Sequence, residues 1–314
     1  MRRYVLRRVA AFVATLFFVS ALVFVVVRLL PGDPATLILG VESTPETLAR
    51  LRHAMGLDRP LALQYVDWLA RAVRGDLGTS IQYDLPVGRL ILSRLPVTLP
   101  LALLAAGMMV AIAVPLGVYA ATHHRRIGDY AAMIVSQLGI AVPAFWSGLL
   151  LILLFSVRLG WFRSGGFDGW SAGVWAGVKS LLLPAVALGA FQAAVLVRAT
   201  RSAVLEILRE DFVRTARAKG LTETRVIRRH ALRNAMIPIV TVMGLQLGQL
   251  IAGAIVLESV FALPGLGRLA LGAINARDLP VVQGVTLFVA GSIVFINFAV
   301  DLAYAALDPR IRYE

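Results

Sequence analysis

Cysteine is absent from all 314 residues, which excludes disulfides, thiolate catalysis and cysteine metal sites. Lysine is almost absent: Lys179 and Lys219 are the only two. Neither follows a glycine, as a Gly-x-x-x-x-Gly-Lys-Ser/Thr nucleotide loop requires, so the chain carries no Walker site. The four histidines, His53, His123, His124 and His230, have no metal-ligand spacing, and no Gly-x-Ser-x-Gly elbow occurs. The chain is therefore not expected to be an enzyme or to bind a metal or cofactor itself. Acidic residues are missing from the centres of the long apolar runs and no internal repeat is visible, which argues against a stand-alone secondary carrier.

Apolar surface is plentiful. With 59% hydrophobic residues and a mean hydropathy of +0.79, the chain reads as an integral membrane protein. A hydrocarbon core of about 30 Å takes roughly 20 helical residues. Uncharged runs of that order lie at 9–27, 95–122, 130–157, 180–197, 235–257 and 279–300. The expected fold is all-α and polytopic, with six transmembrane helices. The fourth run is the shortest and contains Pro184; Arg198 can extend it by snorkelling. The first run follows a basic leader and is read as an uncleaved span.

A net charge of +13 raises the question of nucleic acid, and its distribution answers it. Arg2, Arg3, Arg7 and Arg8 abut the first run, and ten basic residues crowd into 198–234 between two later runs. Basic residues flanking spans mark topology and contact with lipid headgroups, so nucleic acid is not an expected partner. With Arg125, Arg126, Arg310 and Arg312, these charges put both termini on the cytoplasmic side. Three parts result: a tail and first span (1–30), an extracytoplasmic segment (31–94) and a core (95–314) that carries the cytoplasmic segment 198–234. Within 31–94, Thr44-Pro45-Glu46 starts a helix that Gly56 stops, and a second helix covers 61–73.

The 198–234 segment reads as two amphipathic helices broken at Gly220. Leu205, Leu208, Phe212 and Ala216 fall on one face of the first, which runs over 205–219. Thr222 and Glu223 suit the start of the second. Small residues around a sharp turn suit docking of another protein. An amphipathic linker resting on anionic lipid is the alternative, although the segment lacks the bulky anchors of such linkers.

Arg214-Thr215-Ala216-Arg217-Ala218-Lys219-Gly220-Leu221 resembles the cytoplasmic "EAA…G" loop of ABC importer permeases. Arg214 and Thr215 stand in place of the usual Glu and first Ala, and His230-Ala231-Leu232-Arg233 replaces Ile-x-Leu-Pro. These departures resemble the dipeptide/oligopeptide branch, as does Asp211-Phe212-Val213 before them. So do Leu29-Leu30-Pro31-Gly32-Asp33-Pro34, Gly56-Leu57-Asp58-Arg59-Pro60, Gly75-Asp76-Leu77-Gly78, the run from Glu258 to Gly267, and the tail from Leu307 to Tyr313. The resemblance implies a type I ABC importer permease fold in a bacterial inner membrane, and transport of di- or oligopeptides. Similar permeases carry glutathione or nickel chelates; a membrane scaffold is the remoter alternative. It also implies a paralogous second permease, two ATPase subunits that bind the ATP and Mg, and an extracytoplasmic solute-binding protein. Asp211, Arg214, Thr215, Ala216, Arg217, Ala218, Lys219, Gly220 and Leu221 would receive the ATPases. Polar residues within the runs, Gln137, Gln246, Gln249 and Asn297, are candidates for the substrate pathway or for helix–helix hydrogen bonds. Glu258, at the outer end of the fifth run, is a candidate gate or a partner of Arg268 or Arg277.

Overall fold

A computed structural model describes residues 2–29, 36, 39, 44–54 and 56–307. The motif residues Leu30 to Pro34, the tail from Asp308 to Tyr313 with Arg310 and Arg312, and the side chains of Arg2 and Arg3 lie outside that set. In chain order the helices are α1 (Arg2–Leu29), α2 (Pro45–Ala54), α3 (Leu61–Val73), α4 (Val87–Thr122), α5 (Ile127–Ala141) and α6 (Ala144–Arg158). They continue with α7 (Val174–Ile207), α8 (Asp211–Ala218), α9 (Glu223–Val260), α10 (Leu266–Asn275) and α11 (Leu279–Leu307). Helix is the only extended secondary structure among the described residues; one isolated bridge joins Thr79 to Pro86.

Helices α1, α4, α7, α9 and α11 are long and apolar enough to span a membrane. The run 130–157, expected as one of the six spanning helices, is two: α5 and α6 meet at 99°. Pro143 accounts for the break. It has no N–H to continue the helical ladder, and it drives Val142 into extended backbone (φ −92°, ψ 118°). By length and composition the bent pair qualifies as a broken span or a re-entrant loop, which brings the candidate crossings to five or six. The fourth span also differs from expectation: α7 has 34 residues, contains Pro184 without interruption, and is the most buried of the spans.

The reason for that burial is written in α4. Leu101, Ala105, Met109, Ala113, Gly117 and Ala121 recur at every fourth position and are all buried, forming one ridge along the helix. Against it α7 places Leu181, Ala185, Leu188, Ala193, Leu196 and Val197. The small residues let the backbones approach closely. A Cβ at Gly189 would lie 2.8 Å from the Ala105 carbonyl oxygen, and one at Gly117 would lie 2.9 Å from that of Val197. In a membrane, where lipid is as apolar as leucine, such close packing is a main source of helix association. Helix α9 packs on α7 with Gly253 against Leu188, and α11 packs on α9 with Ile293 over Gly248. Helix α1 closes the edge against α11 through Phe12 and Phe298 and an Arg8–Asp301 ion pair of 2.6 Å. Large apolar side chains such as Phe18, Leu103 and Val135 remain exposed on the outside of the bundle, as lipid-facing positions would be.

Between α1 and α4, the Thr44 side chain accepts from the Thr47 N–H, and Gly56 takes φ +67° after α2. Tyr65 and Trp68 of α3 pack on Phe24 of α1, and the Tyr65 hydroxyl hydrogen-bonds Ser20.

Candidate coupling turn and the polar residues of the spans

The basic segment is not two short helices. Helix α7 ends at Ile207, a turn occupies 208–210, and α8 covers Asp211–Ala218; the expected single helix over 205–219 is interrupted. The turn lets Val213 and Ala216 of α8 fold back with Val226 of α9 into a small core, joined by Ile207, Leu208 and Leu221. A straight helix would have left those side chains in water. Phe212, expected on the buried face, is exposed instead. Beyond the turn, the expected second amphipathic helix is the first part of α9, which runs without a break into the fifth span through a π-helical stretch, Val226–Ala231.

The end of α8 is closed by its glycine. Gly220 adopts φ +77°, its N–H bonds the Arg217 carbonyl, and the Leu221 N–H bonds that of Ala216. This pair is the Schellman arrangement, with Leu221 packing back on the helix. Thr222 occupies the N-cap position of α9 but makes no side-chain cap. Glu223 instead accepts two hydrogen bonds from Arg217, at 2.7 and 3.1 Å, bridging the turn. That carboxylate raises the pKa of the Arg217 guanidinium above its usual value. Of the nine expected coupling residues, Ala216 is buried and Leu221 half-buried. The other seven (Asp211, Arg214, Thr215, Arg217, Ala218, Lys219 and Gly220) are exposed, with three cations against one acid.

The five polar candidates inside the spans have different surroundings. Gln137 accepts a hydrogen bond from Arg198 at 3.0 Å, so Arg198 ties α7 to α5 rather than only snorkelling. Gln246 is buried and its amide nitrogen has no partner among the described residues. Gln249 and Asn297 are exposed on the subunit surface. Glu258 is fully buried and forms no ion pair with the Arg268 or Arg277 side chain among the described residues, although the Arg268 backbone N–H reaches it. It accepts from the Thr98 hydroxyl at 2.5 Å and from the Gly267 N–H at 2.6 Å. Thr98 in turn accepts from the Leu266 N–H. Glu258 thus staples the 261–267 turn and α10 to α4. Pro264-Gly265-Leu266-Gly267 follows from the staple: a Cβ at Gly265 would overlap the Glu258 carboxyl, and one at Gly267 would overlap the α9 backbone at Ile255.

Two buried carboxylates escaped the sequence reading. Asp129, 2% exposed, receives Arg201 of α7 at 2.5 and 2.8 Å, the Arg125 N–H at 3.0 Å, and lies 3.1 Å from His124. His124 thus contributes to a polar knot at the same end of the bundle as the α8–Gly220 turn. Asp278 accepts from the Ser80 hydroxyl and from the Gln82 N–H, tying the loop before α4 to the start of α11. No short-range pattern marks either residue.

Residues 113–313 match the family model of the binding-protein-dependent transport system inner membrane component, and residues 1–102 match that family's N-terminal model. A putative peptide transport system permease protein of Brucella abortus (strain 2308) is 45% identical over the full length of both chains. The glutathione transport system permease protein GsiC of Escherichia coli O6:H1 is 44% identical, also over both full lengths. A solved structure of the MetNI methionine ABC transporter, in an inward-facing conformation, aligns with a TM-score of 0.56 at 21% identity. It covers 70% of this chain and 96% of that one, a likeness of fold.

Proposed function

Because the chain belongs to the family of inner-membrane components of binding-protein-dependent transport systems, we propose that it forms half of the translocation pathway of an ATP-driven importer for di- and oligopeptides. A second, paralogous permease supplies the other half, and an extracytoplasmic binding protein delivers the peptide. Two ATPase subunits bind and hydrolyse ATP with Mg; this chain hydrolyses nothing and holds no cofactor. Both termini lie in the cytoplasm, with 31–94 outside and 198–234 inside. The observation that carries the reading is the exposed α8–Gly220 turn, set between α7 and α9. A push on α8 is transmitted to both spans, because Val213 and Ala216 are packed against Val226 and Leu208. The full-length likeness to peptide and glutathione permeases supports peptides as the cargo class.

The test is Gly220→Trp in the complete complex in proteoliposomes. No atom lies within 4 Å of a Cβ at Gly220, so the chain still inserts, while the bulky, strained turn obstructs docking. Substrate-stimulated ATPase activity and uptake are expected to fall at least about tenfold, a loss of roughly 1.4 kcal/mol of coupling. Unchanged stimulation overturns docking at this turn. Glutathione, itself a tripeptide, is the second reading, favoured by the 44% identity to GsiC. Thermal shift of the cognate binding protein with glutathione and with dipeptides separates the two.

A further inference from the structure

At the end of the bundle opposite the coupling turn, a recess of about 480 Å³ opens between the start of α4, the α9–α10 turn and α10. Its size lies within the range of small-ligand sites, about 300–1,000 Å³. Two guanidinium groups line it, Arg94 from α4 and Arg268 from α10, together with Tyr83, Ser259 and Asn275. None of its lining residues is acidic. The Arg94 Nε is buried without a hydrogen-bond partner. Arg268 gives one N–H to the Ala262 carbonyl and makes no ion pair among the described residues. Glu258, next in the chain to the lining residue Ser259, is fully buried and taken up by Thr98 and Gly267, and Asp84, next to Tyr83, is exposed and outside the lining. Arg94 is half-buried and Arg268 exposed at the mouth of the recess; guanidinium groups without a counter-charge invite an anion, and their planar fork matches a carboxylate. Leu269, Leu271 and Pro264 give the same recess an apolar wall.

We propose that this recess holds the C-terminal carboxylate of the transported peptide, with Arg94 and Arg268 as its ligands and the apolar wall against the last side chain. The assignment rests on the peptide reading above. A concave site with two donors and an apolar wall fits a small peptide end better than a flat protein surface. It also gives the substrate a mechanical connection: the stapled turn beside the recess ends α9, and the other end of α9 begins at the coupling turn.

The complete complex in proteoliposomes, with excess binding protein, is assayed for ATP-driven uptake of a tripeptide and of its C-terminal amide. Wild type is compared with Arg94→Gln, Arg268→Gln and the corresponding Lys variants. Loss of a charge-assisted contact is worth about tenfold or more. The acid-to-amide uptake ratio is therefore expected to fall about tenfold in each Gln variant and to recover partly in the Lys variants. An unchanged ratio, or equal losses for acid and amide, overturns the site alone. Uptake of neither form by wild type overturns the peptide reading and the site with it. The cysteine-free chain allows a second measurement that needs no turnover. Under mild oxidant, Ser259→Cys is expected to cross-link a peptide with cysteine at its C-terminus, not at its N-terminus, and less so when Arg94→Gln is added. No cross-link, or capture of the binding protein at that cysteine in place of the peptide, overturns the assignment.

Discussion

Single residues in this protein carry more structural weight when they are polar than when they are apolar. Glu258 is the clearest case, since its carboxyl holds Thr98 and the Gly267 N–H where no water reaches. Glu258→Ala would leave both donors buried and unpaired, at about 1–3 kcal/mol each, and the melting temperature of the detergent-purified complex should drop accordingly. Gly265→Ala should reach a similar destabilisation, about 1–3 kcal/mol, by a different route. It inserts a methyl group into the space the carboxyl fills. If Gly265→Ala melts with wild type, the staple geometry is wrong. The sequence placed Glu258 at a span end and marked Gly265 and Gly267 as part of a motif. It did not reveal that the acid and the glycines belong to one device, because Thr98 lies 160 residues away along the chain.

Elements are joined at the α8 end of the bundle by the Asp129–Arg201–His124 knot, which fastens α5 and the 123–126 turn to α7 just before α8. Asp129→Ala removes the partner of a largely buried guanidinium. Such losses run to about 3–5 kcal/mol when the remaining charge is fully enclosed, and Arg201, 20% exposed, should fall at or below the lower bound. Looser tethering of α7 should also appear as faster proteolysis between Ile207 and Asp211 in the assembled complex. Protease resistance equal to wild type would show that the knot does not restrain this turn. At the same scale, Pro143 sets the 99° break between α5 and α6 through rules that act on adjacent residues. A proline inside an apolar run signals a kink or a close contact, but its position alone gives no angle. Hydropathy counts residues along a line and is blind to a bend.

For the whole molecule, the proposed topology fixes which surfaces face which compartment. Single cysteines introduced at Ala218 and at Ser171 should be labelled by a membrane-impermeant maleimide from opposite sides of inner-membrane vesicles, Ala218 from the cytoplasmic side. Labelling of Ala218 from the other side would overturn the inside assignment of 198–234, and labelling of both from one side would overturn the opposite placement of the two segments. The order of the apolar runs, the helical character of the chain and the exposed cationic turn closed by Gly220 were all determined by sequence. Each depends on local quantities: hydropathy over about 20 residues, a repeat of three to four, and the freedom of glycine to take φ +77°. Tertiary structure alone decided that α7 is the buried centre, that Arg198 bonds Gln137, and that Glu258, Asp129 and Asp278 are staples. It also decided that Arg94 and Arg268 share one recess. Those facts concern which distant groups meet, and a buried charge takes whatever partner the packed helices bring within hydrogen-bonding distance, a choice that no stretch of neighbouring residues encodes.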